Sequence, residues 1–256
     1  MTKNSLVDST GAMQDVKVLL LAAGRGARLR PLTDRTPKCL VPIAGHPLLG
    51  YWFDRLTEAG VHDVLINTHF MRDQVRSYLD RINQAGPLRI TEAYEPRLLG
   101  SAGTIHANKG FVCNDEDCLI IYADNLSDVN LVELMRVHRS HQDPITMVLF
   151  RTPTPTQCGI VAIDREGRVI EFQEKPSDPK SNLANAGVYA MTSAAYREIA
   201  DLDGFDLAND VMPKFIGRMR GWIWDGYHRD VGTPESLAQA RRDVDRVFGA
   251  RVNRTA

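Results

Sequence analysis

An α/β fold, a mixed but mostly parallel central sheet flanked by helices, is what the sequence predicts, and three observations carry it. Apolar runs of strand length, Val16–Leu21 and Cys118–Tyr122 above all, do not alternate in polarity, as expected of strands buried on both faces. Through the first half of the chain such runs are separated by segments of helical periodicity. After His141 strands follow one another with little helix between them, which adds an antiparallel portion. The 256 residues, 43% hydrophobic and 25% charged, have ordinary globular composition.

Residues 1–15 are small and polar without periodicity and read as a disordered lead-in. Val16–Leu21 is the first strand, and a short extended piece follows the loop at Cys39–Ile43. Pro47 opens a helix over Leu48–Ala59, with Leu48, Leu49, Trp52, Phe53 and Leu56 on one side and Gly60 past its end. Val61–Asn67 is a strand, Met71–Ile82 an amphipathic helix and Leu88–Ala93 a strand. The Gly/Ser segment Leu98–Thr104 leads into a short helix ended by Gly110. Cys118–Tyr122 stops at Ala123-Asp124-Asn125, and Asp128–His141 is a helix. Strands at Ile145–Phe150, Gly159–Asp164, Arg168–Phe172 and Asn185–Met191 follow, with a hairpin turn at Asp164–Gly167. Helices resume at Ser193–Ala200 and Leu207–Ile216; Gly221–Trp224 is a last strand and Pro234–Phe248 a last helix. No repeat or low-complexity linker divides residues 16–248, which read as a single domain, with 249–256 as a tail.

The net charge of −1 argues against a protein that tracks nucleic-acid phosphates. No signal peptide and no apolar run of transmembrane length is present, so a cytoplasmic protein without a membrane partner is expected. The four cysteines (Cys39, Cys113, Cys118, Cys158) show no Cys-x-x-Cys pair and no zinc spacing and read as free thiols. His138 and His141 read as a surface pair, Trp222 and Trp224 as core and partial-surface packing, and Asp201, Asp203 and Asp206 as a solvated turn.

Chemistry concentrates in the loop after the first strand. Ala22, Ala23, Gly24 and Gly26 are small enough for backbone N–H groups to approach an anion. Arg25, Arg28 and Arg30, then Lys38 behind the stiffening Pro37, can neutralise it. Gly24-x-Gly26 lacks the third glycine of a dinucleotide fingerprint, and no Gly-Lys-Ser/Thr makes it a P-loop. Asp124 directly follows an apolar strand, where ligands bind in parallel sheets, and its carboxylate could hold Mg²⁺ against phosphate oxygens. Asp230, also at a strand end, could share that metal. Lys175, fixed before Pro176, suits a phosphate, and Asn185 with Gly187 suits sugar hydroxyls. On the residues alone, a solvated basic loop, an N-cap aspartate, an exposed hairpin end and a packing glycine stay open as alternatives.

In combination the chain resembles the sugar-phosphate nucleotidyltransferases, NDP-sugar pyrophosphorylases of which the mannose/heptose-1-phosphate guanylyltransferases look most similar. The likeness rests on Leu21-Ala22-Ala23-Gly24-x-Gly26-x-Arg28-Leu29-x-Pro31-Leu32-Thr33 with Pro37-Lys38. Asp124, Glu174-Lys175-Pro176, Asn185-x-Gly187-Val188-Tyr189 and Asp230-Val231-Gly232-Thr233-Pro234 follow in the family's order, so it covers about residues 16–248. The resemblance implies a Rossmann-like nucleotide-diphospho-sugar transferase fold and the joining of an NTP to a sugar 1-phosphate with release of pyrophosphate. It assigns Ala22, Ala23, Gly24, Gly26, Gly100 and Gly103 to the nucleotide and Arg28 and Lys38 to its phosphates. Asp124 and Asp230 would bind Mg²⁺, Lys175 the sugar phosphate, and Asn125, Glu174, Asn185 and Gly187 the sugar. Arg28, Lys38, Asp124 and Lys175 form the expected catalytic set. Ala27 replaces the usual threonine and Ala123 the usual glycine; neither change removes a charge. The segment Leu98–Gly103 leans towards GTP with a mannose- or heptose-type 1-phosphate. A uridylyltransferase or another base and sugar is the alternative, as is a non-catalytic sugar-nucleotide sensor, and a homo-oligomer is left open. The short stretch after Asp230 predicts no appended left-handed β-helix.

Overall fold

In the computed structural model, which describes residues 13–249, β1 (Val16–Leu21) lies near the middle of the sheet. An irregular loop of 3-10 turns follows (Ala27–Leu29, Leu32–Asp34, Lys38–Leu40), then a two-stranded corner of β2 (Pro42–Ile43) and β3 (His46–Pro47). Next come α1 (Leu48–Glu58), β4 (Asp63–Thr68), α2 (Arg72–Ala85), β5 (Arg89–Tyr94), α3 (Gly100–Ala107), β6 (Asp117–Tyr122) and β7 (Asn125–Ser127). The second half holds α4 (Leu131–His138), β8 (Ile145–Arg151), β9 (Gly159–Ile163), β10 (Val169–Glu174), β11 (Leu183–Thr192) and α5 (Ser193–Ala200). β12 (Met219–Ile223), β13 (His228–Asp230) and α6 (Pro234–Phe248) close the described chain.

The sheet runs β10-β9-β11-β6-β1-β4-β5, with β8 paired to β11 and β12 to β8. β6, β1, β4 and β5 are mutually parallel, while β11 is antiparallel to β6 and to β8. This mixed, mostly parallel order is the Rossmann-like arrangement expected. Because side chains alternate across a strand, Val16, Val18 and Leu20 enter one core and Leu19 and Leu21 the other. The first core holds Trp52, Ile66 and Leu119, the second Ile105, Ile120 and Tyr196. A third cluster joins Leu29, Val41, Leu48, Leu126 and Val231 to Leu237 and Val244 of α6. It binds the loop after β1 to β7 and β13, which sets the floor of the site. α6 starts on a reciprocal Thr233–Ser236 capping box with Pro234 in its first turn. At the sheet edge, Asn83 of α2 bonds both the N–H and the C=O of Ile90 in β5, so that edge is blunted.

Several expectations need correction. Met13 is 3% exposed, packs in the first core and donates its N–H to Ala59, so the ordered chain reaches back beyond Val16. The rest of the lead-in, residues 1–12, and of the tail, residues 250–256, lie outside the described residues. Gly100–Thr104 is itself the start of α3; contacts to Glu95 and Phe205 override the weak helix propensity of two glycines. Only Pro42–Ile43 of the Cys39–Ile43 piece is extended. Leu207–Ile216 is a π-type turn (Leu207–Val211) followed by a 3-10 turn (Met212–Phe215), as Pro213 has no N–H for a regular helix. The helix predicted over Asp128–His141 begins at Leu131, where Asn130 caps Glu133 N–H. His138 is buried and His141 half-buried, not a surface pair, and they share the Thr146 hydroxyl, each at 2.9 Å. All four cysteines are free. Among the described residues no helix is long and apolar enough to cross a membrane.

Candidate active site

The carboxyl ends of β1, β4 and β6 open into a cavity of about 230 Å³. Leu21, Ala22, Ala23, Gly24 and Asn67 line it together with Leu98, Gly100 and Ser101. Lys38, Tyr122 and Asp124 close the inner end, and Phe205 with Asp206 stands across the mouth. Leu98 and Phe205, 40% and 58% exposed, give that mouth apolar lips.

A compact charge cluster stands at the inner end. The antiparallel pair β7–β13 sets Asp230 opposite Asn125, and Val231 N–H bonds to the Asp124 carbonyl. The indole N–H of Trp52 fixes the Asn125 carbonyl at 2.8 Å. The two aspartates, more than a hundred residues apart in the chain, are thereby brought together. Lys38, only 6% exposed, reaches between them: its Nζ is 2.7 Å from Asp124 Oδ2 and 3.7 Å from Asp230 Oδ1. Arg28 Nη2 is 3.9 Å from Asp230 Oδ2. Packing around the Asp230 carboxyl pushes its pKa up and the Asp124 charge adds to this, while Lys38 and Arg28 pull it back. The two carboxylates thus repel one another, and Lys38 and Arg28 offset that repulsion. Two carboxylates without a third protein ligand suit Mg²⁺, which keeps waters and takes phosphate oxygens, and among the described residues no cluster of three or more ligating side chains competes.

The glycine loop is more specialised than its composition suggests. Ala22 and Ala23 donate their N–H groups to Asn67 Oδ1, at 2.7 and 3.2 Å, so these two amides do not face an anion. Among the described residues, the amides of Gly24 through Ala27 make no such bond, so they are the loop amides left available to an anion. Gly26 sits at φ 63°, where a Cβ would stand 2.9 Å from Lys38 Cβ; only glycine lets the loop fold over that lysine. The buried Thr33 hydroxyl pins the turn by donating to the Gly26 carbonyl at 2.8 Å.

The residues expected around a sugar lie on β11 and at the end of β10, with Asn125 on β7. Glu174 and Lys175 end β10, paired at 3.2 Å, with Lys175 at φ 45° and its N–H on the Cys158 carbonyl. Asn185 accepts from Gly187 N–H and donates to the Tyr189 hydroxyl. The β11 ladder slips between Asn185 and Tyr189, and Gly187, at φ 65°, packs against Tyr122 and Asn125. Asn125 donates to the Ala186 carbonyl at 3.1 Å, which ties this bulge to the aspartate cluster. Thus Arg28, Lys38, Asp124 and Asp230 stand together, Ala22, Ala23, Gly24 and Gly100 line the cavity, and Asn125 and Gly187 adjoin it through Tyr122. Gly103 lies one turn into α3 against Leu99 and does not line the cavity, while Glu174, Lys175 and Asn185 stand outside its lining.

Four further residues escape sequence reasoning. Asn67 ends β4, and the rule that singles out Asp124 at a strand terminus would have found it. Gly232 is packed so that a Cβ would meet Arg28 Nη2 at 2.7 Å. Asp206 is no solvated turn residue: it lines the cavity and caps the Leu207 turn. Ser101 accepts from Leu207 N–H and from the Tyr122 hydroxyl, which draws the 203–207 segment onto α3. No local pattern in the sequence announces either contact.

A family model described as "Nucleotidyl transferase" matches residues 17–246. The mannose-1-phosphate guanylyltransferase of Mycobacterium tuberculosis is 31% identical over 239 residues, 92% of this chain and 66% of that protein. The low-salt glycan biosynthesis nucleotidyltransferase Agl11 of Haloferax volcanii is 30% identical, over 90% of this chain and 66% of its own length. The chain thus spans slightly less than two thirds of the length of these curated relatives. Among solved structures, a protein assigned as a glucose-1-phosphate thymidylyltransferase from Bacillus anthracis, in complex with a sucrose, superposes with a TM-score of 0.80 at 26% identity, covering 89% of this chain and 94% of that one. HddC from Yersinia pseudotuberculosis complexed with GMP-PN shares the fold, with a TM-score of 0.75 at 21% identity over 89% of this chain and 99% of its own.

Proposed function

Since the chain belongs to the nucleotidyl transferase family, we propose that it joins an NTP to a sugar 1-phosphate and releases pyrophosphate. The observation that carries this reading is the placement of Lys38 between Asp124 and Asp230, at 2.7 and 3.7 Å, at the inner end of the cavity. The reaction brings two anions together, so neutralisation and positioning dominate its catalysis.

Mg²⁺ held by Asp124 and Asp230 would neutralise phosphate charge at the reacting centre. Gly24–Ala27 amides receive the triphosphate. Arg28 and Lys38 balance charge that grows on the departing pyrophosphate. Lys175 orients the sugar phosphate, and Glu174, Asn185 and Gly187 hold the sugar. No general base is required, because a phosphate monoester is largely ionised at neutral pH and already nucleophilic.

GTP with a mannose- or heptose-type 1-phosphate is the favoured pair. It is supported by relatives named mannose-1-phosphate guanylyltransferases at 28–31% identity. The four free thiols support a reducing, cytoplasmic setting. A matrix of the NTPs against mannose, glucose, heptose and N-acetylated sugar 1-phosphates, with Mg²⁺ and pyrophosphate detection, tests the reading. Pyrophosphate that requires both substrates, highest with GTP and the mannose or heptose compound, is expected. Nucleotide binding without pyrophosphate in any pair would replace the enzyme with a sensor.

A further inference from the structure

Behind the nucleotide half of the cavity lies a buried polar chain that the reaction above leaves unused. Glu95 is 3% exposed, Asn67 4% and Thr104 0%. Among the described residues the Glu95 carboxylate has no cationic partner. Its Oε1 accepts from Asn67 Nδ2 at 2.9 Å and from the Thr104 hydroxyl, and its Oε2 accepts from Leu99 N–H at 3.0 Å. Asn67 Nδ2 also reaches Thr104 Oγ1 at 3.0 Å, and Asn67 Oδ1 takes the amides of Ala22 and Ala23. Thr104 Oγ1 further lies 3.0 Å from the Gly100 carbonyl.

The directions of these bonds matter. The Ala22 and Ala23 N–H groups hold Asn67 Oδ1 towards the glycine loop, and Nδ2 then faces inward, where Glu95 Oε1 accepts from it. The same carboxylate anchors Leu99, whose neighbours Leu98 and Gly100 also line the cavity. One carboxylate therefore ties together two segments of the cavity lining, the loop after β1 and the start of α3.

We propose that Glu95, acting through Asn67 and Thr104, is a positioning residue that sets nucleotide affinity without touching the nucleotide or the sugar phosphate. This rests on the reading of the cavity as the NTP site. Thr104 offers the clean test, since a side chain with no exposure cannot contact a ligand directly. Thr104→Val keeps its shape and removes the hydroxyl; Thr104→Ser restores the hydroxyl.

The experiment measures the Kd of Mg²⁺–GTP, or of whichever NTP the wild type binds best, by calorimetry, beside the KM for the sugar 1-phosphate and the melting temperature. Thr104→Val is expected to weaken nucleotide binding at least about fivefold, with the sugar-phosphate KM within twofold and Thr104→Ser near wild type. Glu95→Gln, which swaps an acceptor for a donor facing Asn67 or Leu99, is the second variant and is expected to act in the same direction. Unchanged nucleotide Kd in folded variants, parallel loss of both affinities, or a wild type that binds no NTP would overturn the proposal. Wild-type binding with a selective loss in the variants but no pyrophosphate release would instead sink the catalytic reading and leave this one standing.

Discussion

Gly232→Ala perturbs the Arg28–Asp230 contact without deleting a charge. Gly232 is buried beside Asp230 and does not use a left-handed backbone conformation, so alanine fits the main chain. Its new Cβ would stand 2.7 Å from Arg28 Nη2 and 3.0 Å from both Asp230 carboxylate oxygens, against an ordinary contact of 3.4 Å or more. The guanidinium must withdraw by about 0.7 Å, the difference between those contact distances. Arg28 is 68% exposed and now 3.9 Å from Asp230, so it can swing into solvent at small cost. Stability should change by less than about 1 kcal/mol. A charge-assisted bond to a phosphate is worth about 1.5–3 kcal/mol, which converts to about 10- to 150-fold in kcat/KM for the NTP. Pyrophosphate release at saturating sugar 1-phosphate, together with a thermal melt, measures both quantities. In an Arg28→Ala background the same glycine change should cost less, since only its 3.0 Å contacts with Asp230 remain. Wild-type kcat/KM in a folded Gly232→Ala protein would refute the argument that Arg28 acts from this position.

Three other outcomes follow from the same geometry. Asp124→Asn should lower kcat about 10²- to 10³-fold while circular dichroism stays native, since Lys38 keeps only Asp230, at 3.7 Å. Lys175→Met should raise the sugar 1-phosphate KM about tenfold with the NTP KM unchanged; at 62% exposure its loss should leave the melting temperature in place. His138 is held neutral by burial, its pKa pushed down to about 4 from 6.5. The unfolded chain therefore takes up the proton first, and stability falls as pH drops from about 6.5 towards 4, by up to about 3 kcal/mol. Urea midpoints between pH 7 and pH 5 measure this slope, and a slope unchanged in His138→Gln would show that His138 is not its source.

Much of the fold is legible because its signals are local. Val16–Leu21, Ser193–Ala200 and Pro234–Phe248 have the observed boundaries, set by an unbroken apolar run, by amphipathic spacing and by a proline behind a capping threonine. Gly100–Thr104 and Leu207–Ile216 mislead for the opposite reason: Ala102 N–H bonds to the Phe205 carbonyl and Leu207 N–H to the Ser101 hydroxyl, about a hundred residues away, and short-range propensity is blind to that. The histidine pair is misjudged because Thr146, on a later strand, supplies the partner that permits its burial.

The candidate site divides along the same line. Residue types and spacing put Arg28, Lys38, Asp124 and Asp230 forward as candidates, because a strand end, a proline-stiffened lysine and a glycine loop are written in consecutive letters, and the family resemblance gives them their roles. What brings these residues within 4 Å of one another is the β7–β13 ladder and the cluster under α6, contacts made across more than a hundred residues. Tertiary structure also decides which loop amides face a ligand. Ala22 and Ala23 look as available as Gly24 in the sequence, but the end of β4 delivers Asn67 to claim them, and hydrogen-bond direction is a property of the packed chain.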